Sequence, residues 1–368
     1  MRLERLTLRN FLSFRDASVD LRPVNILIGE NNVGKSNLID AISLLQAAPT
    51  DLLPVMRRGG AIRDWIWKGE RLSGAAASVG CDVDGAHWEM EFTDGPGLVI
   101  SRESLSSKDG KPILNRSQHD YVLDNQQGPV PDQHRSMLSI FKSPSDQLFT
   151  PFGRFFESIR IYREFRTGVR TGSRQGIATN GSPGDYLSDG GDNLALVLNE
   201  LIFRDIEPRI NAYLKELSGR IEGVKVRVIE GIAVAHLRES GLSEPVPSHR
   251  MSDGTLKFLC LLAVLLHPDP PPVVCLEEPE QGLHPDAIQI LARILKDASL
   301  KSQIIITTHS VELIDEFSSD PESVVVCERS ERGGTELNRL SEEPLREWLE
   351  EYSLGRLWRK GEIGGNRW

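Results

Sequence analysis

The sequence predicts an α/β fold: a mixed, mainly parallel sheet with covering helices, plus an antiparallel β lobe and a helical insertion. Three observations predict it. A β-rich apolar run, Val24-Asn25-Ile26-Leu27-Ile28, leads through a glycine-bounded loop into a segment with helical spacing. From Ser252 onward, helical and strand patterns alternate, as they do where parallel strands are joined through helices. Between Ala75 and Arg102, short β-like segments are separated by Asp-Gly and Gly-Pro turns, as in antiparallel hairpins.

The first element carries the strongest chemistry. Residues 29 to 36 read Gly29-Glu30-Asn31-Asn32-Val33-Gly34-Lys35-Ser36, a complete phosphate-binding loop. Its glycines let backbone N–H groups curl round phosphates. Lys35 places a point charge on the β- and γ-phosphates, and the Ser36 hydroxyl suits Mg²⁺. From Ser36 and Asn37 to Ala48 the apolar residues Leu38, Ile39, Ile42 and Leu45 mark a helix, which Pro49 ends. The N-terminus of that helix aims its dipole and free N–H groups at the phosphates. A nucleoside triphosphate with Mg²⁺ is the implied ligand pair.

Composition frames the rest. The chain has 368 residues, 26% charged and 39% hydrophobic, ordinary values for a globular protein. Its net charge of −10 argues against a chain-wide polyanion-binding surface but leaves room for a local basic groove. The longest apolar stretch, Phe258 to Leu266, is too short to span a bilayer, and the first residues lack a signal-like apolar core. Cys81, Cys260, Cys275 and Cys327 lack metal-ligand spacing and read as buried thiols. No membrane insertion and a cytoplasmic location are the expectations.

Five units are expected along the chain. Residues 1–72 hold the loop, with strands over 3–28. Residues 73–188 form the β lobe and an arginine-rich insertion, with 103–153 polar, turn-rich and unassigned. Residues 189–250 carry helices at 189–218 and strands at Val224–Glu230 and Ala233–Arg238. Residues 251–340 hold helices at Gly254–Leu266, Pro285–Ala298 and Val311–Phe317, with strands at Val273–Glu277, Gln303–Thr308 and Ser323–Glu328. Residues 341–368 are a tail.

The remaining site candidates lie at strand ends. Val273-Val274-Cys275-Leu276 ends in Glu277 and Glu278, and Pro279 stops it. Neighbouring strand residues face opposite ways, so the two carboxylates take different roles. With the strand beside the phosphate loop, Glu277 would face Mg²⁺ and Glu278 would reach an attacking water as general base. A second buried run, Gln303 to Thr308, ends at His309, placed to donate to a γ-phosphate; ligands gather at the carboxyl ends of parallel strands. Ser252-Asp253-Gly254 opens an apolar helix; Ser252 suits an N-cap, and Ser-x-Gly at a helix N-terminus suits an anion. Arg154, Arg160, Arg163, Arg166, Arg170 and Arg174 alternate with aromatics, a pattern fit for nucleic acid or equally for a buried core with paired arginines. Trp65 and Trp67 read as one face of a packed segment.

Taken in this order, the four motifs and the opening Leu8-Arg9-Asn10-Phe11-Leu12-Ser13-Phe14 resemble the ABC-type ATPase heads of the SMC/RecF/OLD superfamily, in particular its compact RecF-like AAA ATPases. The ending from Gly361 to Trp368 is also similar to that group. The resemblance implies a P-loop NTPase of ABC-head type working as an ATP-dependent homodimer. In it, Ser252 and Gly254 act in trans on the partner's nucleotide, Glu277 with Ser36 holds the metal, and Glu278, His309 and Lys35 are catalytic. It implies ATP hydrolysis coupled to DNA repair or DNA-directed defence; regulation of a partner effector, or driving a transporter, are the alternatives. Glu277 stands where the family more often has aspartate. The family's metal-contacting glutamine loop is sought in Arg57 to Gly69.

Overall fold

The computed structural model describes residues 1–69, 76–95, 97–124, 126–142, 148–330 and 333–364. Strands β1 (Leu3–Phe11) and β2 (Phe14–Asp20) form a hairpin, and β3 (Val24–Ile28) runs through the phosphate loop into α1 (Lys35–Ala47) and then α2 (Leu53–Arg58). The meander β4 (Ala77–Val83), β5 (Ala86–Asp94), β6 (Leu98–Ser106), β7 (Pro112–Arg116), β8 (Asp120–Leu123) and β9 (Gln126–Pro129) follows. Helices α3 (Met137–Ile140) and α4 (Phe149–Glu157) lead to β10 (Arg160–Tyr162), α5 (Gly172–Gln175) and β11 (Ile177–Ala178). The helical insertion is α6 (Leu194–Phe203) and α7 (Glu207–Leu217), followed by β12 (Ile221–Ile229), β13 (Ile232–Glu239) and β14 (Val246–Pro247). The alternating half is α8 (Asp253–Leu265), β15 (Val273–Glu277), α9 (Pro285–Ala298), β16 (Gln303–Thr307), α10 (Val311–Asp315), β17 (Val324–Arg329), β18 (Thr335–Arg339), α11 (Glu342–Glu351) and α12 (Leu354–Lys360).

These strands make three sheets. The central one has the order β10-β15-β16-β3-β17-β18, parallel except for β18. A β-strand buried on both faces must be apolar throughout, and β3, β15, β16 and β17 are nearly so. Leu27, Cys275, Ile305 and Val325 face one core, with α1 and the antiparallel sheet. Ile26, Leu276, Ile306 and Val326 face the other, with α6, α8 and α9.

Two expectations are corrected here. The strands of 3–28 do not share one sheet: β1 and β2 extend the antiparallel sheet β2-β1-β4-β5-β6-β7-β8-β9, and only β3 enters the central sheet. This antiparallel sheet therefore runs across the boundary expected at 72/73. Nor is β15 beside β3, because β16 lies between them.

A buried ion pair ties together described parts of the unassigned stretch 103–153. Glu103 and Arg116 are both fully buried, 3.4 Å apart. Glu103 Oε1 accepts from Ser136 Oγ at 2.6 Å and Trp88 Nε1 at 3.2 Å, and its Oε2 accepts from the Met137 amide at 2.8 Å. Arg116 donates to the carbonyls of Arg135, Asp132 and Gln133. A polar, turn-rich segment is thus pinned to the sheet by charge-assisted hydrogen bonds rather than by apolar periodicity. Glu103→Ala leaves Arg116 charged and uncompensated, so it should cost about 3–5 kcal/mol in urea denaturation. Glu103→Ala combined with Arg116→Met should cost less. A single-variant loss within about 0.5 kcal/mol would show that the pair does not lock this segment.

Candidate nucleotide site

Parallel pairing sets the strand ends level. Glu277 pairs in register with Thr307, and Thr307 with Leu27. The phosphate loop, the Glu277-Glu278 pair and Thr308-His309 therefore leave the sheet along one edge.

The loop is tightly seated. Gly34, at φ +116°, caps α1; a Cβ there would lie 2.4 Å from Ser13 Oγ and 2.5 Å from Thr335 Oγ1, so only glycine fits. Lys35 is buried, and its Nζ donates to the carbonyls of Gly29 and Glu30, each at 2.8 Å, curling the loop round the ammonium. Burial lowers the Lys35 pKa, and Glu278 partly offsets this. Asn31, Asn32 and Ser36 are exposed at the mouth, Asn37 is half-buried in the first helical turn, and Val33 anchors the loop in the core.

Ser36 Oγ donates to Glu277 Oε2 at 3.2 Å although β16 separates their strands, because α1 crosses the strand ends toward β15 and β10. A hydroxyl and a carboxylate, with phosphate oxygens to add, are the hard oxygen donors magnesium takes. The residues present fit that ion. Burial raises the Glu277 pKa, countered by Arg163 and by Ser36.

Glu278 is not a strand residue. Its φ of +44° puts it in the left-handed region, uncommon and costly for a residue with a side chain. The turn is held by its amide, which donates to Thr307 O at 2.9 Å. The turn, rather than strand alternation, separates the two carboxylates. His309 Nε2 lies 3.8 Å from Glu278 Oε1, too far for a direct hydrogen bond but suited to one bridging water. Glu280, which the sequence reading passed over, fixes that histidine: its Oε1 accepts from Thr308 Oγ1 at 2.6 Å and from the His309 amide at 3.3 Å.

Ser252 is the N-cap of α8, its Oγ accepting from the Thr255 amide at 3.1 Å. Gly254 has a reason within its own chain: a Cβ would sit 2.9 Å from Gly282 O in the loop after β15. Arg174 ties this corner down by donating to Met251 O at 2.7 Å and pairing with Asp253 at 2.5 Å.

Most of the arginine stretch is committed internally. Arg166 pairs with Asp192, and Arg160 stacks on Tyr186 at 5.1 Å. Phe155, Ile159, Ile161 and Phe165 are core residues, and Arg154 and Arg170 are exposed. Arg163 bridges Asp40 at 2.5 Å and Glu277 at 2.6 Å from the end of β10. It is thus the side chain that reaches the candidate metal carboxylate from the flanking strand. The stretch Arg57 to Gly69, where a glutamine was sought, contains none. Little in the sequence marked Arg163 for this place: it follows Ile159 to Tyr162, a run too short for its alternation to mark a strand. Trp65 is packed as expected, but Trp67 lines a cleft of about 290 Å³ with Asn32, Val33 and Arg329, beside the phosphate loop.

The family model described as "AAA domain, putative AbiEii toxin, Type IV TA system" matches residues 24–315. The chain belongs to this AAA-domain family. An ATP/GTP phosphatase of Helicobacter pylori is 22% identical over 343 residues, which cover 85% of this chain and 86% of the relative. The DNA replication and repair protein RecF of a Synechococcus species is 36% identical over 80 residues, 22% of this chain and 20% of RecF. Among solved structures, an SMC head bound to the C-winged helix domain of ScpA superposes with a TM-score of 0.56 at 15% identity, covering 94% of this chain and 99% of that one. A Pyrococcus furiosus SMC head with an extended coiled coil, bound to the C-terminal domain of ScpA, gives 0.55 at 15% identity, with 95% and 99% covered. At this identity the likeness is one of fold. This AAA-domain protein is an ATPase of the ABC/SMC/RecF type with the corresponding P-loop head fold. Among the described residues no helix is long and apolar enough to cross a membrane.

Burial and the Lys35 charge lower the His309 pKa, and Glu278 partly offsets this. The folded chain thus favours neutral imidazole, while the unfolded chain titrates near the ordinary 6.5. Unfolded protein then binds more protons below that value, so the His309 contribution to stability is present above it and is lost as pH falls through the window below 6.5. Asp40, Glu277 and Glu280, raised by burial, act with the opposite sign. His309→Gln should therefore reduce the stability lost between about pH 7.5 and about pH 5.5 in urea titrations. An unchanged difference would contradict the neutral imidazole.

Proposed function

We propose that the chain hydrolyses ATP with magnesium and dimerises around the nucleotide. The observation that carries this reading is the convergence of Lys35, Ser36, Glu277, Glu278 and His309 on one edge of the parallel sheet. Lys35 would exchange its loop carbonyls for phosphate oxygens. Ser36 and Glu277 would hold Mg²⁺, which when bound neutralises phosphate charge. Glu278 would take the proton of an in-line water, and neutral His309 would donate to the γ-phosphate. Trp67 would carry the base, and stacking tolerates more than one purine. That suits a relative named an ATP/GTP phosphatase.

The exposed N-terminus of α8 supports a trans contact. Ser252 and Asp253 are exposed, and half-buried Gly254 lies against the loop at Gly282. A second copy could close this corner over the nucleotide. The fold likeness to SMC heads supports the dimer and the use of a protein partner. A DNA-directed role draws support from the RecF relative. The arginine stretch lends it little, since its aromatics are buried and most of its arginines are paired.

Glu278→Gln should slow turnover about 10²–10⁴-fold, the usual worth of a general base, and accumulate an ATP-bound dimer by light scattering. Unchanged turnover would remove Glu278 as the base. Lys35→Ala should abolish binding of a fluorescent ATP analogue, and retained affinity would overturn the nucleotide site itself. ATPase rates with single- and double-stranded DNA over a salt series test the output. Stimulation that fades with salt supports DNA, and flat rates favour a protein effector.

A further inference from the structure

Arg163 is the one residue of the arginine stretch drawn into the nucleotide site, and its setting differs from that of a surface pair. Its guanidinium forks between two elements. NH1 donates to Glu277 Oε1 at 2.6 Å, while NH2 donates to Asp40 Oδ1 at 2.5 Å and Ser43 Oγ at 3.2 Å. Asp40 stands on α1, downstream of the phosphate loop, and Glu277 ends β15. One cation therefore holds the loop helix to the strand that carries the metal carboxylate.

Both carboxylates need that cation. Burial raises the pKa of each, and Arg163 counters the rise in each. Glu277 is used on both oxygens, Oε1 by Arg163 and Oε2 by Ser36. A divalent cation held by Ser36 and Glu277 competes for the same carboxylate and repels the adjacent guanidinium. The guanidinium has somewhere to go. Arg163 lines an open cleft of about 640 Å³ whose charged lining is Asp40, Glu164 and Asp189 with Arg58 and Arg166, and Glu164 and Asp189 are exposed residues. Of the two cationic partners, the arginine is tethered and always charged. A free divalent ion must also lose part of its hydration.

We infer that Arg163 is a gatekeeper of the metal position: it neutralises Glu277 and Asp40 until nucleotide phosphates bring enough negative charge for a divalent cation to displace it toward the cleft. The chain then takes its metal with nucleotide and not before it. This rests on the magnesium-ATPase reading and assigns Arg163 a positioning role within it, acting through Glu277.

The test measures Mn²⁺ binding by electron paramagnetic resonance, without nucleotide and with a non-hydrolysable ATP analogue. Wild type should bind Mn²⁺ weakly alone and tightly with the analogue. Arg163→Ala should bind Mn²⁺ alone at least about tenfold tighter, since the carboxylates are released. Arg163→Gln keeps a hydrogen-bonding side chain without the charge, so it protects folding and should show the same gain. Mn²⁺ should raise the melting temperature of either variant more than that of wild type. Adding Glu277→Gln to Arg163→Gln should erase the gain, which locates it. Equal nucleotide-free affinity in wild type and Arg163→Gln would overturn the inference and leave Arg163 a static cross-link. If wild type loaded with the analogue takes up no Mn²⁺, the magnesium reading itself fails and this inference falls with it.

Discussion

The structure depends on the parallel pairing of β15, β16 and β3. Each strand is buried on both faces, so each is an apolar run with no solvent face to help set its register. The hydrogen-bond ladder fixes Glu277 opposite Thr307 and Thr307 opposite Leu27. A slip of one residue would swap the two cores, moving Ile304 and Ile306 from the α8–α9 side to the α1 side. The same ladder brings the catalytic candidates to a common edge. Core packing and site geometry are thus one constraint.

At that edge, charge takes over from packing. The buried ammonium of Lys35 is surrounded by backbone carbonyls, and Glu277 is balanced by an arginine and a hydroxyl. Glu278 is carried on a strained turn, and burial shifts His309 toward its neutral form. These groups are partly satisfied by each other and stay half-open to solvent. Such a state costs stability and suits a site that must exchange its internal partners for phosphate and metal. The Glu103–Arg116 pair is the contrast: fully buried and held by several hydrogen bonds, it ties the antiparallel sheet to the segment at 132–137.

Much of this was legible in the sequence, for reasons that differ by element. The phosphate loop and α1 were readable because glycine, lysine and serine at fixed spacing have few other uses. The helix at Pro285–Ala298 was found at its full bounds, since its apolar stripe and N-terminal proline act locally. Strands β7 to β10 were missed because three to five residues carry too little periodicity, and their pairing is a tertiary property. The insertion of β16 between β15 and β3 could not be read from order along the chain. Arg163 was left between nucleic-acid contact and pairing with acidic neighbours, because composition cannot say which arginine faces a carboxylate across the fold. Gly254, placed in a trans contact by the resemblance, also has a requirement within its own chain, where a Cβ would meet Gly282 O.

The central claim is that the carboxyl ends of β3, β15 and β16 form one magnesium–nucleotide site. The most direct test is a crystal structure of the chain with a non-hydrolysable ATP analogue and Mg²⁺. The account predicts phosphates on the amides of Gly34, Lys35 and Ser36, with Ser36 Oγ and Glu277 at the metal directly or through water, and Glu278 and His309 facing the γ-phosphate. Nucleotide bound elsewhere, or a metal held without Ser36 and Glu277, would contradict it.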